Sequence, residues 1–419
     1  DMGASQSVAS PQSVATPLHR AIRDRAPAAK LLKLIKAKPA AAKKADKGKS
    51  YVGELPLHCA AYNNAAVEVV QALLATYPEG AEAKDRHGRL PLHCAAQNNA
   101  AVEVVQALLA AYPEGVKERD NDGDLPLHLA AGCHGTLDTS VIDPIHGYPL
   151  INQTNVVEVV QVLLAAYPEG VKATNNDEAL PLNRALPYNV LALLAAYPEG
   201  AKAKDKYGTL PLHHAAENKA PVEVVRALLA AYPEGAKERR NDGYNGDLPL
   251  HIAVDCGIRG IRRSPARDAK MIFYQNHVSL EAVLVSLQEV LAAYPEGVKE
   301  TNDRGYSPLH WAALDNAPVE VVQALLAACP EGAKVPMGYN KEEGRPGNDN
   351  LPLHCAVTCT SDRLHHWSEN SRSEFAPLEV VRALVAAYPE GVFAKNNVSA
   401  PRRQPPPLTR LPPPLPPMR

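Results

Sequence analysis

The chain has 419 residues, with 44 Lys+Arg against 46 Asp+Glu and a formal net charge of −2. That balance argues against a protein built to coat nucleic acid, so no nucleic-acid partner is expected; no uncharged apolar run approaches the ~18 residues of a spanning helix. Seven cysteines without a Cys-x-x-Cys pair make no disulfide framework and suit a reducing, cytoplasmic setting.

At the N-terminus, Met2-Gly3-Ala4-Ser5-Gln6-Ser7 fits the pattern for N-myristoylation at Gly3, provided that translation starts at Met2 so that Gly3 becomes N-terminal. One acyl chain anchors weakly unless a basic patch supports it. Between Arg20 and Lys49 there are 11 Lys/Arg against Asp24 and Asp46, a net of +9. Residues 1–15 are expected to be a disordered lead-in, and the same basic stretch also serves as the solvated outer face that a terminal repeat needs.

The chain has 38 prolines, nine of them in the last 19 residues, and most of those between residues 16 and 396 are punctuation. A phrase of the type Leu-Pro-Leu-His places Pro17, Pro56, Pro91, Pro126, Pro181, Pro211, Pro249, Pro308 and Pro352; a second, Tyr-Pro-Glu-Gly, places Pro78, Pro113, Pro168, Pro198, Pro233, Pro295, Pro330 and Pro389. The undisturbed period is 35 residues. In the third repeat, Pro91 sits where proline opens a helix, and Gln97, Asn98 and Asn99 end it. A second helix starts near Val102, with Val102, Val105 and Leu109 on one apolar row and Val104 and Leu108 on another. Pro113 and Gly115 stop that helix, and Gly123 turns the charged loop before the next repeat. Helices this short are unstable alone, so only stacking can bury their apolar rows. Eight histidines recur once per repeat and read as structural, as do Cys59, Cys94 and Cys355 beside them.

Thr16-Pro17-Leu18-His19, Ser307-Pro308-Leu309-His310, the Glu-Val-Val-x-x-Leu-Leu second helices and the Asp-x-x-Gly turns resemble ankyrin repeats, in nine copies over residues 16–396. The resemblance implies an all-α solenoid of stacked helix-turn-helix repeats with connecting finger loops. Most repeats have Leu where that family has Thr, which should remove a Thr–His hydrogen bond. Tyr-Pro-Glu-Gly lengthens the end of the second helix.

The spacing is irregular in four places. From the first-helix Pro to the Tyr of the second phrase is 21 residues in regular repeats, but 41 in the fourth, 45 in the seventh, 36 in the ninth and 16 in the fifth. The three insertions fall between the paired helices. The seventh carries Arg259, Arg262, Arg263, Arg267 and Lys270, with Ser264 as a phosphate acceptor, and suits an acidic or phosphorylated partner. In the ninth, His354, Cys355, Cys359, His365 and His366 match no standard metal spacing. The fifth repeat has Asn183 for the histidine, Pro187 interrupting the first helix, and Glu178 where the turn glycine belongs. A weak joint is expected there.

The stretch 397–419 is Pro-rich and cannot build a core. Its Arg410, Pro413 and Pro416 fit an Arg-x-x-Pro-x-x-Pro docking site for SH3-type domains, and a WW domain is an alternative.

No phosphate-binding Gly-rich loop, Gly-x-Ser-x-Gly or His-Glu-x-x-His occurs, so neither an enzyme nor a cofactor is expected. The expected function is a monomeric scaffold that binds a partner protein. The alternatives are an acylated membrane-surface adaptor and an inhibitory subunit of an enzyme. The resemblance implies contacts from finger tips and the ends of first helices on a concave face. Those are Arg86, His87, Arg89, Gln97 and Asn98 in the third repeat, Asn121, Asp122 and Asp124 in the fourth, Lys206, Tyr207, Thr209, Glu217 and Asn218 in the sixth, and Asp303, Arg304, Tyr306, Leu314 and Asp315 in the eighth.

Overall fold

The computed structural model describes residues 16–46, 53–133, 137–142, 149–151, 153–241, 246–262, 279–338, 349–358 and 378–396. The chain forms two compact bodies, Asp1–Gly297 and Val298–Arg419.

The third repeat shows how a regular repeat is made. Its first helix, Pro91–Gln97, has Pro91 at its first position, and its second helix is Val102–Ala111. Between them Asn99 takes φ +51°, and the Ala100 N–H reaches back to the Ala95 carbonyl at 3.0 Å. This reversal ends the helix and is one that asparagine tolerates better than most residues. The buried row of the second helix is Val104, Val105 and Leu108, while Val102 and Leu109 are only half-buried. Of the two apolar rows in the sequence, the core stripe is therefore the Val104–Leu108 row with Val105, and the Val102–Leu109 edge lies beside it. First helices stack on first helices and second on second along the first body, and Ala95 and Ala96 let neighbouring backbones approach closely.

The Tyr-Pro-Glu-Gly phrase does more than stop a helix. Pro113 opens a 3-10 turn, Pro113–Lys117, and Gly115 does not have positive φ. It is glycine for lack of room: a Cβ there would lie 2.9 Å from Tyr112 Cδ1 and 3.3 Å from Leu90 Cδ1. The matching ring crowds Gly170 (Tyr167), Gly235 (Tyr232) and Gly391 (Tyr388) at 2.9–3.0 Å, with Leu125, Leu210 and Leu351 in ordinary contact at 3.5–3.6 Å. The two departures from the family pattern are thus one device. Repeats with Leu before Pro-Leu-His have the tyrosine; the two with Thr16 or Ser307 have Lys38 or Cys329 in its place. Burying a leucine contributes about 1.5–3 kcal/mol, more than the 0.5–1.5 kcal/mol typical of a net hydrogen bond, so the exchange favours Leu.

A lysine two residues past the phrase then spans to the next repeat. Lys117 pairs with Glu114 at 2.8 Å and lies over the Tyr167 ring; Lys172 does the same with Glu169 and Tyr197, and Lys237 with Glu234 and Tyr294.

In the fourth repeat, strands Leu137–Ile142 and Pro149–Ile151 pair antiparallel within the insertion, the only strands among the described residues. In the seventh, the insertion prolongs the first helix to Pro249–Arg262. Arg259 and Arg262 lie on it with side chains outside the description, and Arg263, Ser264, Arg267 and Lys270 lie outside the described residues.

The fifth repeat is shortened as expected, but by another route. Its first helix is only Pro181–Arg184, and Pro187 opens the second helix, Pro187–Ala196, where it is well placed. Glu178 does take the glycine-like turn, at φ +58°. The expected joint is not where the bodies divide, which is between Gly297 and Val298. Polar ties replace the missing turn of helix: Leu186 N–H donates to the Ala131 carbonyl at 3.0 Å, Asn189 Nδ2 to the Ala130 and Ala131 carbonyls, and the Tyr188 hydroxyl to the Cys133 carbonyl.

In the second body, Pro308–Leu314 stacks on Pro352–Thr358 and Val319–Ala328 on Leu378–Ala387. His354 and Cys355 lie in the first of the ninth-repeat helices, and Cys359, His365 and His366 lie outside the described residues.

Candidate partner-binding face

The repeated histidine fixes each finger loop to the helix before it. Leu90 N–H donates to His93 Nδ1 at 3.2 Å, so Nδ1 is unprotonated and Nε2 carries the hydrogen. Nε2 then donates to the Glu118 and Asp124 carbonyls, at 3.1 and 3.2 Å, at the two ends of the next finger. His58 reaches the Arg89 carbonyl and His128 the Ala179 carbonyl in the same way. With Thr16 and Ser307 a hydroxyl also meets the ring, at 2.7 Å, the contact that the leucine repeats lack. Burial holds His58, His93, His128 and His213 at a pKa of about 4, so the rings are neutral at pH 7. The same burial pushes the Cys59 and Cys94 thiols up to about 12, which makes them poor nucleophiles.

Asn183 does the histidine's work in the fifth repeat. Its Oδ1 accepts from Leu180 N–H at 3.1 Å, and its Nδ2 donates to the Ala203 and Thr209 carbonyls at 2.9 and 3.2 Å.

Neighbouring finger tips are joined by one backbone bond each: Asn121 N–H to the His87 carbonyl, Asn176 to Asp122, Lys206 to Asp177 and Asn241 to Tyr207, at 2.7–3.0 Å. Gly88 must be glycine for this approach, because at φ +74° a Cβ would come 2.5 Å from Asn121 Oδ1. The tips therefore form a row along the first body. Arg86 and His87 are exposed on it, as are Asn121 and Asp122, then Asn176 and Glu178 with half-buried Asp177, then Lys206 and Tyr207. Tyr207 is 47% exposed. Lys206 pairs with Asp177 at 2.6 Å and covers the Tyr207 ring. The row thus runs basic, acidic, acidic, then basic and aromatic. The acidic fifth finger, Asn176 to Glu178, is not among the residues expected on this face, because its repeat reads as degenerate, with Asn183 for the histidine and Glu178 for the turn glycine; the Asn-Asn-Asp-Glu string is its signal.

Some residues expected on this face are not available to a partner. Asp124 is 2% exposed, taking Asn175 Nδ2 at 2.7 Å and Arg184 at 2.8 Å; burial raises its pKa against those two contacts. Thr209 is 6% exposed, and its N–H donates to Asp205 Oδ1. Arg89 is half-buried, with Nε and a terminal nitrogen on Asp85 Oδ2 at 3.1 and 2.9 Å and its other terminal nitrogen on Gln97 Oε1. It braces the finger against the first helix. Burial works against ionisation of Asp85, yet the Arg89 contacts hold its carboxyl below the usual range. Spacing alone places a residue on a finger without telling which way its side chain turns. Gln97, Glu217 and Asn218 are exposed and Asn98 half-buried at the ends of first helices, where Asn98 and Asn218 donate to the Cys94 and His214 carbonyls.

In the second body, Asp303, Arg304, Tyr306, Leu314 and Asp315 are all half-buried, and the Tyr306 ring lies 5.2 Å from Trp311. Gly3, Arg410, Pro413 and Pro416 lie outside the described residues. Among the described residues there is no group of three His, Cys, Asp or Glu placed to hold a metal ion, and no helix is long and apolar enough to cross a membrane.

The model of a family described as ankyrin repeats in three copies matches residues 18–117 and 57–139, and a single ankyrin-repeat model matches 304–335. No curated protein matches the chain. Among solved structures, the ankyrin repeat domain of Bcl-3, described as a unique member of the IkappaB protein family, is 22% identical over 57% of this chain and 93% of that one, with a TM-score of 0.38. With family matches in both bodies and the helix pairs, fingers and histidine ties in place, this chain is an ankyrin-repeat protein.

Proposed function

We propose that the chain is a protein-interaction scaffold and that its first body binds a partner protein along the row of finger tips. The observation that carries this is the backbone link from tip to tip, which fixes the exposed groups of Arg86, His87, Asn121, Asp122, Lys206 and Tyr207 in one line. A partner suited to it is mixed in charge, with basic groups facing the centre and acidic groups facing the two ends. The test is affinity capture from cognate lysate with the full chain against the variant Arg86→Glu, Tyr207→Ser. Arg89 is left intact because it braces buried Asp85. A stoichiometric protein lost with the variant supports the face; equal retention by both chains removes it.

A second reading has its own observation. Lys30, Lys33 and Lys36 are all exposed on the helix Ala28–Ala37 of the first repeat. Together with an acyl chain at Gly3, that face would hold the protein on an anionic membrane surface. Membrane fractionation of the protein and its Gly3→Ala variant decides it. Equal partition of the two ends this reading.

A further inference from the structure

Where one repeat follows another, the residue after the Tyr-Pro-Glu-Gly glycine is covered by the next repeat. Val116 is 3% exposed, Val171 2%, Ala201 2% and Ala236 0% in the first body, and Ala333 3% in the second. In the ninth repeat the matching Val392 is 56% exposed, and beside it Phe393 is 86% exposed. Phe393 stands where Lys117, Lys172, Lys202, Lys237 and Lys334 stand elsewhere. Glu390 accordingly has no lysine three residues on. A terminal repeat normally turns a polar face outward, and this one turns an aromatic ring.

The chain leaves that repeat along the path that brings the next repeat in elsewhere. His354 Nε2 donates to the Ala394 carbonyl at 3.0 Å, and Asn396 Nδ2 to Asn350 Oδ1 at 2.7 Å, so a finger begins as it does at Glu118 and Asp120. From Asp120 the chain is back at Pro126 six residues later, in the helix that stacks on the repeat before it. Six residues beyond Asn396 stands Arg402, in a stretch with Leu408, Leu411 and Leu415 among prolines.

We propose that residues 401–419 of this chain dock on the end face formed by Val392 and Phe393. Prolines and leucines of that segment cover the Phe393 ring, as proline ridges cover aromatic grooves, and Arg402 or Arg403 faces Glu390. The segment caps the face that a following repeat covers elsewhere. A domain that recognises Arg410, Pro413 and Pro416 then competes with this contact.

Native trypsin digestion of the full chain tests the cap, with cleavage of the Arg403–Gln404 and Arg410–Leu411 bonds followed by mass spectrometry at several protein concentrations. Both positions in the variant Val392→Ser, Phe393→Ser are exposed on the repeat itself, so its helix content by circular dichroism at 25 °C should match the parent, which serves as the fold control. Docking predicts that both bonds are cut about tenfold faster in this variant, at a rate unchanged in Phe393→Leu and independent of concentration. Equal rates in parent and double variant overturn the proposal. Protection that rises with concentration, together with a sedimenting dimer, assigns the face to a second copy and overturns it too.

Discussion

In the third repeat a buried imidazole ties the helix start at Leu90 to the next finger at Glu118 and Asp124; in the fifth, the Asn183 amide ties Leu180 to Ala203 and Thr209. Both side chains present one acceptor and one donor at the right separation. They differ in what a proton does to them. Imidazole takes up a proton and loses its acceptor, whereas the amide does not titrate. A repeat that looks degenerate by its letters is therefore complete by its hydrogen bonds, and less sensitive to acid.

The largest expected effect is acid loss of stability in the histidine repeats. Their rings hold a pKa of about 4 when folded, against 6.5 for the ordinary group. Below pH 6.5 the unfolded chain takes up protons that the folded chain refuses. Stability is then complete above 6.5 and falls as pH drops toward 4, by up to about 3 kcal/mol per ring. Hydrogen exchange read by mass spectrometry at pH 7 and pH 4.5, corrected for the intrinsic rate, should show second, third, fourth and sixth repeats losing more protection than the fifth. Uniform loss would remove the distinction.

Exchanging the two residues sharpens it. His93→Ala should cost about 2–4 kcal/mol, since it leaves a cavity and orphans buried backbone groups. His93→Asn should cost less and flatten the fall in thermal midpoint between pH 7 and 4.5. Asn183→His should steepen it. Smaller effects concern the turns. Glu178→Gly, at φ +58°, should stabilise by roughly 0.5–1 kcal/mol. Gly88→Ala, with its Cβ forced against Asn121, should destabilise by more than that, and chemical denaturation compares the two. The smallest effect is local: amides of Leu182–Ala185 should exchange faster than those of Leu92–Ala96 at neutral pH, because a four-residue helix has few internal bonds.

The helix pairs, their boundaries near Pro91 and Val102, the structural histidines and the insertion points were legible in the letters, because proline and the apolar rows act within a few residues of themselves. The burial of Asp124 and Thr209 and the bracing role of Arg89 were not, since each depends on a partner brought from elsewhere along the chain: Asp124 meets Arg184, 60 residues on. The coupling of Leu90 with Tyr112 stood in the sequence as a correlation, and its cause became visible only where both side chains press on Gly115. By itself, then, the sequence determined the repeat, its period and its local elements, which follow from backbone propensity and apolar spacing. Which finger side chains face outward, and that Asn183 completes a repeat lacking its histidine, were decided by the tertiary structure, because burial and long-range hydrogen bonds are settled only when one repeat lies against the next.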